Sequence, residues 1–123
     1  MSKIASFVRA RLTSFSFACE GVVEFVRTEF NGWVHVMFAV AVIIAGFCYQ
    51  IQAKEWAILF ICMGTVISVE MLNTAIERFC DHVTPEIHPD IKIIKDVASG
   101  AVLVMAFFAA VTGIIVFWPY ITG

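Results

Sequence analysis

Charge is scarce in this sequence, and the scarcity decides the class of protein. Eight Lys or Arg and ten Asp or Glu make up 15% of 123 residues, against 61% apolar side chains. A water-soluble domain this short has too much surface for its volume to hide so much hydrocarbon, so the chain is expected in a bilayer, as a single domain over residues 1–123. The net charge of −2 is spread over short clusters, which leaves no basic patch suited to a nucleic-acid backbone. Cys19, Cys48, Cys62 and Cys80 are widely spaced, with no Cys-x-x-Cys pair and no His at ligand spacing, so neither a zinc site nor a disulfide framework is expected. Cys48 and Cys62 fall in apolar runs and should pack as small hydrophobes. No repeat, low-complexity tract or Gly-rich phosphate loop occurs. A cleaved leader would need an apolar run directly after a basic start, but Arg9, Arg11, Glu20 and Glu24 interrupt it, so the N-terminus is expected to be retained.

What the chain does have is length of apolar run. A helix needs around 20 residues to cross the hydrocarbon core, and three stretches qualify or nearly so, at about 33–50, 56–77 and 97–118, the last closed by Pro119. Trp33, Tyr49, Trp56, Trp118 and Tyr120 near their ends form the expected interfacial belt. Lys3, Arg9, Arg11 and Arg27 precede the first span and Arg78, Lys92 and Lys95 occupy the second connection, while the first turn holds only Lys54. The excess of basic residues places the N-terminus and the second connection in the cytoplasm.

Residues from Ile4 to about Phe30 read as an amphipathic surface helix. Ile4, Phe7, Val8, Phe15, Ala18, Cys19, Val22 and Val26 share one face, with Arg9, Ser16, Glu20, Glu24 and Arg27 opposite. If that helix runs unbroken past Gly21, Arg11 and Glu29 fall on the apolar face; either the helix bends and both charges reach water, or Glu29 points into a polar site between helices. The segment from about Glu77 to Asp96 is the other polar region, and Pro85 and Pro89 predict a turn there.

Glu70, Asn73 and Glu77 stand at i, i+3 and i+7, one stripe of a helix near the cytoplasmic end of the second span. Ionisable groups at membrane depth cost several kcal/mol unless paired or wet. Such residues serve as interhelical hydrogen-bonding glue or as a functional site; two carboxylates and an amide on one stripe favour the site. Carboxylate and amide oxygens suit Mg²⁺ together with nucleotide phosphates, and a carboxylate held apart from the metal can take a proton from a hydroxyl. Lys95, at similar depth, can hold a phosphate as a point charge, and Asp96 follows it.

EMLNTAIE from Glu70 to Glu77, TPEIHP from Thr84 to Pro89, and KDVASGAVL from Lys95 to Leu103 resemble the prokaryotic diacylglycerol kinase family, with its undecaprenol kinase branch. The likeness extends upstream to Ser14, Ala18 and Gly21 and to the run from Thr28 to His35. It implies an all-α integral membrane fold, a homotrimeric bundle with three transmembrane helices and an N-terminal surface helix per subunit, and active sites shared between subunits. It also implies a multi-pass protein of the bacterial cytoplasmic (inner) membrane that transfers the γ-phosphate of MgATP to the hydroxyl of diacylglycerol or undecaprenol. By this resemblance Glu70 is the catalytic base, Glu29 and Glu77 bind Mg²⁺, and Asn73 supports them. Glu29, Glu77, Glu86, His88, Lys95 and Asp96 match nucleotide-binding positions, and Ser99, with Glu70, lies by the lipid head group. Phosphoryl transfer asks a protein mainly for positioning and charge neutralisation, which an oxygen-rich site with a lysine supplies without a Gly-rich loop. The loop followed by KDVASGAVL leans toward the undecaprenol branch. Phe17, Glu20 and Phe30 depart from the Tyr, Lys and Pro that relatives usually carry, and Arg9 or Arg11 is the basic contact of that helix. His35 is either a site-lining residue or an interface histidine. A rival function, a small proton-coupled exporter working through one buried glutamate, needs a single central acid and usually four spans.

Overall fold

The computed structural model describes residues 2–84 and 88–123, and within them four helices. α1 spans Lys3–Thr28, α2 Phe30–Tyr49, α3 Ala53–Val83 and α4 Pro89–Thr122. The last three are long and apolar enough to cross a membrane. α3 packs chiefly on α4 and also on α2, while α1 touches α2.

α1 begins where the Ser2 hydroxyl accepts the Ala5 N–H at 3.2 Å, a side-chain cap for a donor that has no partner inside the helix. It runs unbroken past Gly21 but stops at Thr28, short of the expected Phe30. Glu29 has extended backbone (φ −103°, ψ 117°) and ends one helix while starting the next. Packing explains the break. Phe25, 5% exposed, lies over Gly32 on α2, where an added Cβ would sit 2.5 Å from the ring. The chain must therefore turn at Glu29 for its one buried α1 side chain to reach α2. Arg11 does share a face with Phe7, and its guanidinium lies 5.4 Å from that ring's centre, within the range of a cation–π contact. The apolar residues Ile4, Phe7, Val8, Phe15 and Val22 are all exposed on the single chain.

The α2–α3 turn is tight. Gln50 takes the left-handed conformation (φ 53°), and its N–H and that of Ile51 bond back to Phe47 and Gly46 carbonyls at 3.3 and 3.2 Å. Gln52 and Glu55 then form a reciprocal capping box that starts α3. Gly46 allows a close approach here: a Cβ would meet the Trp56 ring at 2.5 Å, and the ring would have to shift. Beside this turn lies the apolar core of Ile51, Leu59 and Val116, backed by Val42, Trp56, Met63, Phe117 and Tyr120. Tyr49 stands 6.1 Å, ring centre to ring centre, from both Phe117 and Tyr120.

Three further expectations need correction. The second span, expected over about 56–77, lies in a helix that extends to Val83, so the helices take up most of the polar segment, and the expected turn between helical ends is confined to residues 84–88. Pro89 occupies the first turn of α4, where a missing N–H costs nothing. Pro119 does not close α4, which continues to Thr122. Its ring forfeits one bond, to the carbonyl of Ile115, and the final turn is held instead by Gly123 N–H to Pro119 O and Thr122 Oγ1 to Trp118 O, each 2.9 Å. All four cysteines are free, and Cys80 is buried.

Candidate active site

α3 carries the acidic stripe as its sequence demands, and its packing divides the stripe by depth. Glu70 is 4% exposed and Asn73 7%, while Glu77, one turn on, is half-buried. Thr74 is buried beside them. Asn73 Nδ2 donates to Glu77 Oε1 at 3.5 Å, a long contact, and Asn73 Oδ1 is buried without a partner among the described residues. An unsatisfied amide oxygen at membrane depth is costly, and Asn73 stands between two carboxylates, Glu70 and Glu77, on the same helix. Across from the stripe, His35 on α2 brings Nε2 to 3.5 Å from Glu70 Oε2.

Of the two alternatives the sequence left open for Glu29, the structure turns the carboxylate toward α3, where its neighbour is Arg78. The guanidinium donates to Glu29 Oε1 and to Thr28 Oγ1, both at 2.7 Å, and lies 3.9 Å from Glu24 Oε1. This clasp fixes the α1–α2 break against α3 one residue beyond Glu77. Sequence reading used Arg78 only to orient the chain and gave Thr28 no role; their contact with it bridges 49 and 50 positions, a separation that no local spacing reveals.

Lys95 and Asp96 lie about two turns into α4, and their ion-pair partners stand outside the stripe. Lys95 Nζ donates to Asp81 Oδ1 at 2.7 Å, pinning α4 to α3, and Lys92 Nζ donates to Asp96 Oδ2 at 2.6 Å. Asp81 also escaped the sequence reading. His88 caps α4, its Nδ1 accepting the Asp90 N–H at 3.1 Å. Ser99 is exposed, and Glu86 lies outside the described residues.

A single chain thus gathers oxygen donors without closing a cage: among the described residues, no three His, Cys, Asp or Glu side chains are grouped to hold a metal ion. Mg²⁺ rarely needs such a cage, since one or two carboxylates suffice when phosphates and water complete the shell. Glu77 and the free Asn73 Oδ1 have the right hard-oxygen chemistry. Beside the stripe an apolar groove of about 380 Å³ runs between α2, α3 and α4. His35 is part of its wall; Leu59, Val66, Ala109 and Gly113 line the rest with hydrocarbon and backbone.

The comparisons with known proteins agree with one another. The family model described as prokaryotic diacylglycerol kinase matches residues 16–117. An undecaprenol kinase of Bacillus subtilis is 42% identical over 106 residues, covering 86% of each chain. A diacylglycerol kinase of Synechocystis is 38% identical over 103 residues, 83% of this chain and 59% of that one. A diacylglycerol kinase of Helicobacter pylori is 30% identical over 92 residues, 70% of this chain and 65% of that one.

Proposed function

Because the chain belongs to the prokaryotic diacylglycerol kinase family, we propose that it transfers the γ-phosphate of MgATP to the hydroxyl of a membrane lipid alcohol, undecaprenol in preference to diacylglycerol. It is a lipid kinase and a multi-pass membrane protein. The preference follows the loop and α4 start noted above and the higher identity to a relative named undecaprenol kinase. One observation carries the reading: Glu70 is a carboxylate held 4% exposed within a membrane-length helix, near an amide oxygen with no partner among the described residues and a groove lined mostly with hydrocarbon.

In the proposed reaction the Glu70 carboxylate accepts the proton of the lipid hydroxyl as its oxygen bonds to the γ-phosphorus. The bond from that phosphorus to the β–γ bridging oxygen breaks, and ADP leaves with the electron pair. The hydrocarbon tail stays in the bilayer while the hydroxyl meets soluble nucleotide at the rim. Glu77 and Glu29 would hold Mg²⁺, with Asn73 behind them; bound there, the ion neutralises phosphate charge during transfer. For Glu29 to serve, Arg78 must release it. Lys95, Asp96, Glu86 and His88 would face the nucleotide and Ser99 the lipid head group. Lys95 and Asp96 are engaged by Asp81 and Lys92 within one chain, and a homotrimer with sites shared between subunits is the assembly proposed to complete the site. The helix ends carrying Arg78, Lys92 and Lys95 face the cytoplasm of a bacterial inner membrane, and α1 lies along its surface. The exporter reading has no support in the comparisons, and the acids it would need to be single are several.

The deciding experiment is a side-by-side assay in mixed micelles with Mg²⁺, ATP and either undecaprenol or diacylglycerol. Faster phosphorylation of undecaprenol is expected. Equal or greater turnover of diacylglycerol would reverse the preference, and no phosphorylation of either would remove the function.

A further inference from the structure

We infer that His35 is a positioning residue for Glu70, holding its carboxylate toward the head of the apolar groove; the inference rests on the reading of Glu70 as proton acceptor. Among the described residues His35 is the one Lys, Arg or His within 4.0 Å of the Glu70 carboxylate, with Nε2 to Oε2 at 3.5 Å. Both side chains are largely buried, 19% and 5% exposed. They project from different helices, so their approach is set by how α2 packs on α3 and is not a neighbour effect along one helix.

The groove supplies the second observation. Of the side chains that line it, His35 alone bears nitrogen or oxygen. The ring therefore touches both the carboxylate and the space where a hydrocarbon tail would end in its hydroxyl. A glutamate has three rotatable bonds, and without a partner its oxygens would swing through more than the fraction of an ångström that proton transfer tolerates; misplacement by about 1 Å costs on the order of 100-fold in rate. A ring with the proton on Nε2 donates to Glu70 and limits that swing. At 3.5 Å the contact is longer than a well-formed hydrogen bond, which suits a pair that tightens when the hydroxyl enters.

The test uses the full-length protein with MgATP and the better lipid, comparing the parent with His35→Ala, His35→Gln and Glu70→Gln. His35→Ala should lower kcat about 10- to 100-fold and leave KM for MgATP within about twofold. His35→Gln, which keeps a donor, should recover about tenfold of that loss. Independently of activity, the ring ¹⁵N resonances of His35 should shift in Glu70→Gln and stay in place in Tyr120→Phe, a change at the opposite end of the helices. An unchanged kcat in His35→Ala, a loss confined to KM for lipid, or His35 resonances indifferent to Glu70→Gln would each overturn the assignment. If the parent phosphorylates neither lipid, the kinase reading falls by itself, and the resonance shift still decides whether the pair exists.

Discussion

At the α2–α3 turn, backbone donors and the Glu55 carboxylate are paired within the chain, while at the acidic stripe, among the described residues, polar groups are left open. Near the turn, Ile51, Leu59 and Val116 form a small apolar core ringed by Trp56, Phe117 and Tyr120. The Tyr120 hydroxyl donates to Glu55, and the same carboxylate accepts the Gln52 N–H at 3.0 Å. At the stripe, among the described residues, Asn73 Oδ1 has no partner and Glu70 has one ionisable neighbour, His35 at 3.5 Å; nearby, Arg78, Lys95 and their acids form half-exposed ion pairs. In a bilayer, unsatisfied polar groups are expensive. A chain that satisfies them at one end shows that it can, so openness at the other end marks the part built to meet something outside the chain. On the proposed function, structure is concentrated at the turn and chemistry at the stripe, and substitutions should separate cleanly into those two effects.

The largest effect belongs to Glu70→Gln. It preserves shape and a hydrogen-bonding capacity while removing the proposed proton acceptor, so turnover should fall about 100- to 10,000-fold with thermal stability intact. Lipid phosphorylation and a melting curve on the same preparation check both halves. A Gln variant as fast as the parent would break the base assignment and, with it, the contrast between the two ends. Next comes Glu77→Ala, expected to raise the ATP concentration for half-maximal rate about 10- to 100-fold at fixed Mg²⁺. An ATP titration that overlays the parent's would take Glu77 off the list of metal ligands.

Much of this division could be read before any coordinates, and the reason is periodicity. Three apolar runs long enough to span a bilayer, and carboxylates at i and i+7 with an amide between, are local patterns that a helix converts directly into geometry. The boundaries were less legible. The α1–α2 break, expected near Phe30, falls at Glu29; what the sequence does not show is that Phe25 packs over Gly32 across the bend. Pro119 reads as a stop, yet a proline near a helix end loses one bond and the last turn replaces its own support. The clasp of Arg78 on Glu29 and the pairing of Lys95 with Asp81 are long-range contacts, so charge identity was visible while partner choice was not. His35 sits between the two cases: the sequence singled it out, and only packing of α2 on α3 supplied Glu70 as its neighbour.

The remaining predictions concern the turn and should leave chemistry alone. Gly46→Ala puts a methyl 2.5 Å from the Trp56 ring, and overpacking of this kind costs about 1–3 kcal/mol. Unfolding of the detergent-solubilised protein should show the loss, while kcat per folded molecule stays at the parent value. A fall in kcat at full folding would mean that the turn and the stripe are mechanically coupled, and the contrast would have to be redrawn.

The smallest effect is expected from Tyr120→Phe. It keeps the ring in its contacts with Tyr49 and deletes only the hydroxyl that donates to Glu55. Glu55 still accepts from Gln52, so the α3 start survives with one acceptor site returned to water at the interface. Melting should drop by less than in Gly46→Ala, because no cavity opens and no group is left buried without a partner. Lipid phosphorylation should not change at all. A Tyr120→Phe variant that melted like the parent but lost activity would assign the hydroxyl a part in catalysis from the far side of the bundle, a result that the separation of structure from chemistry forbids.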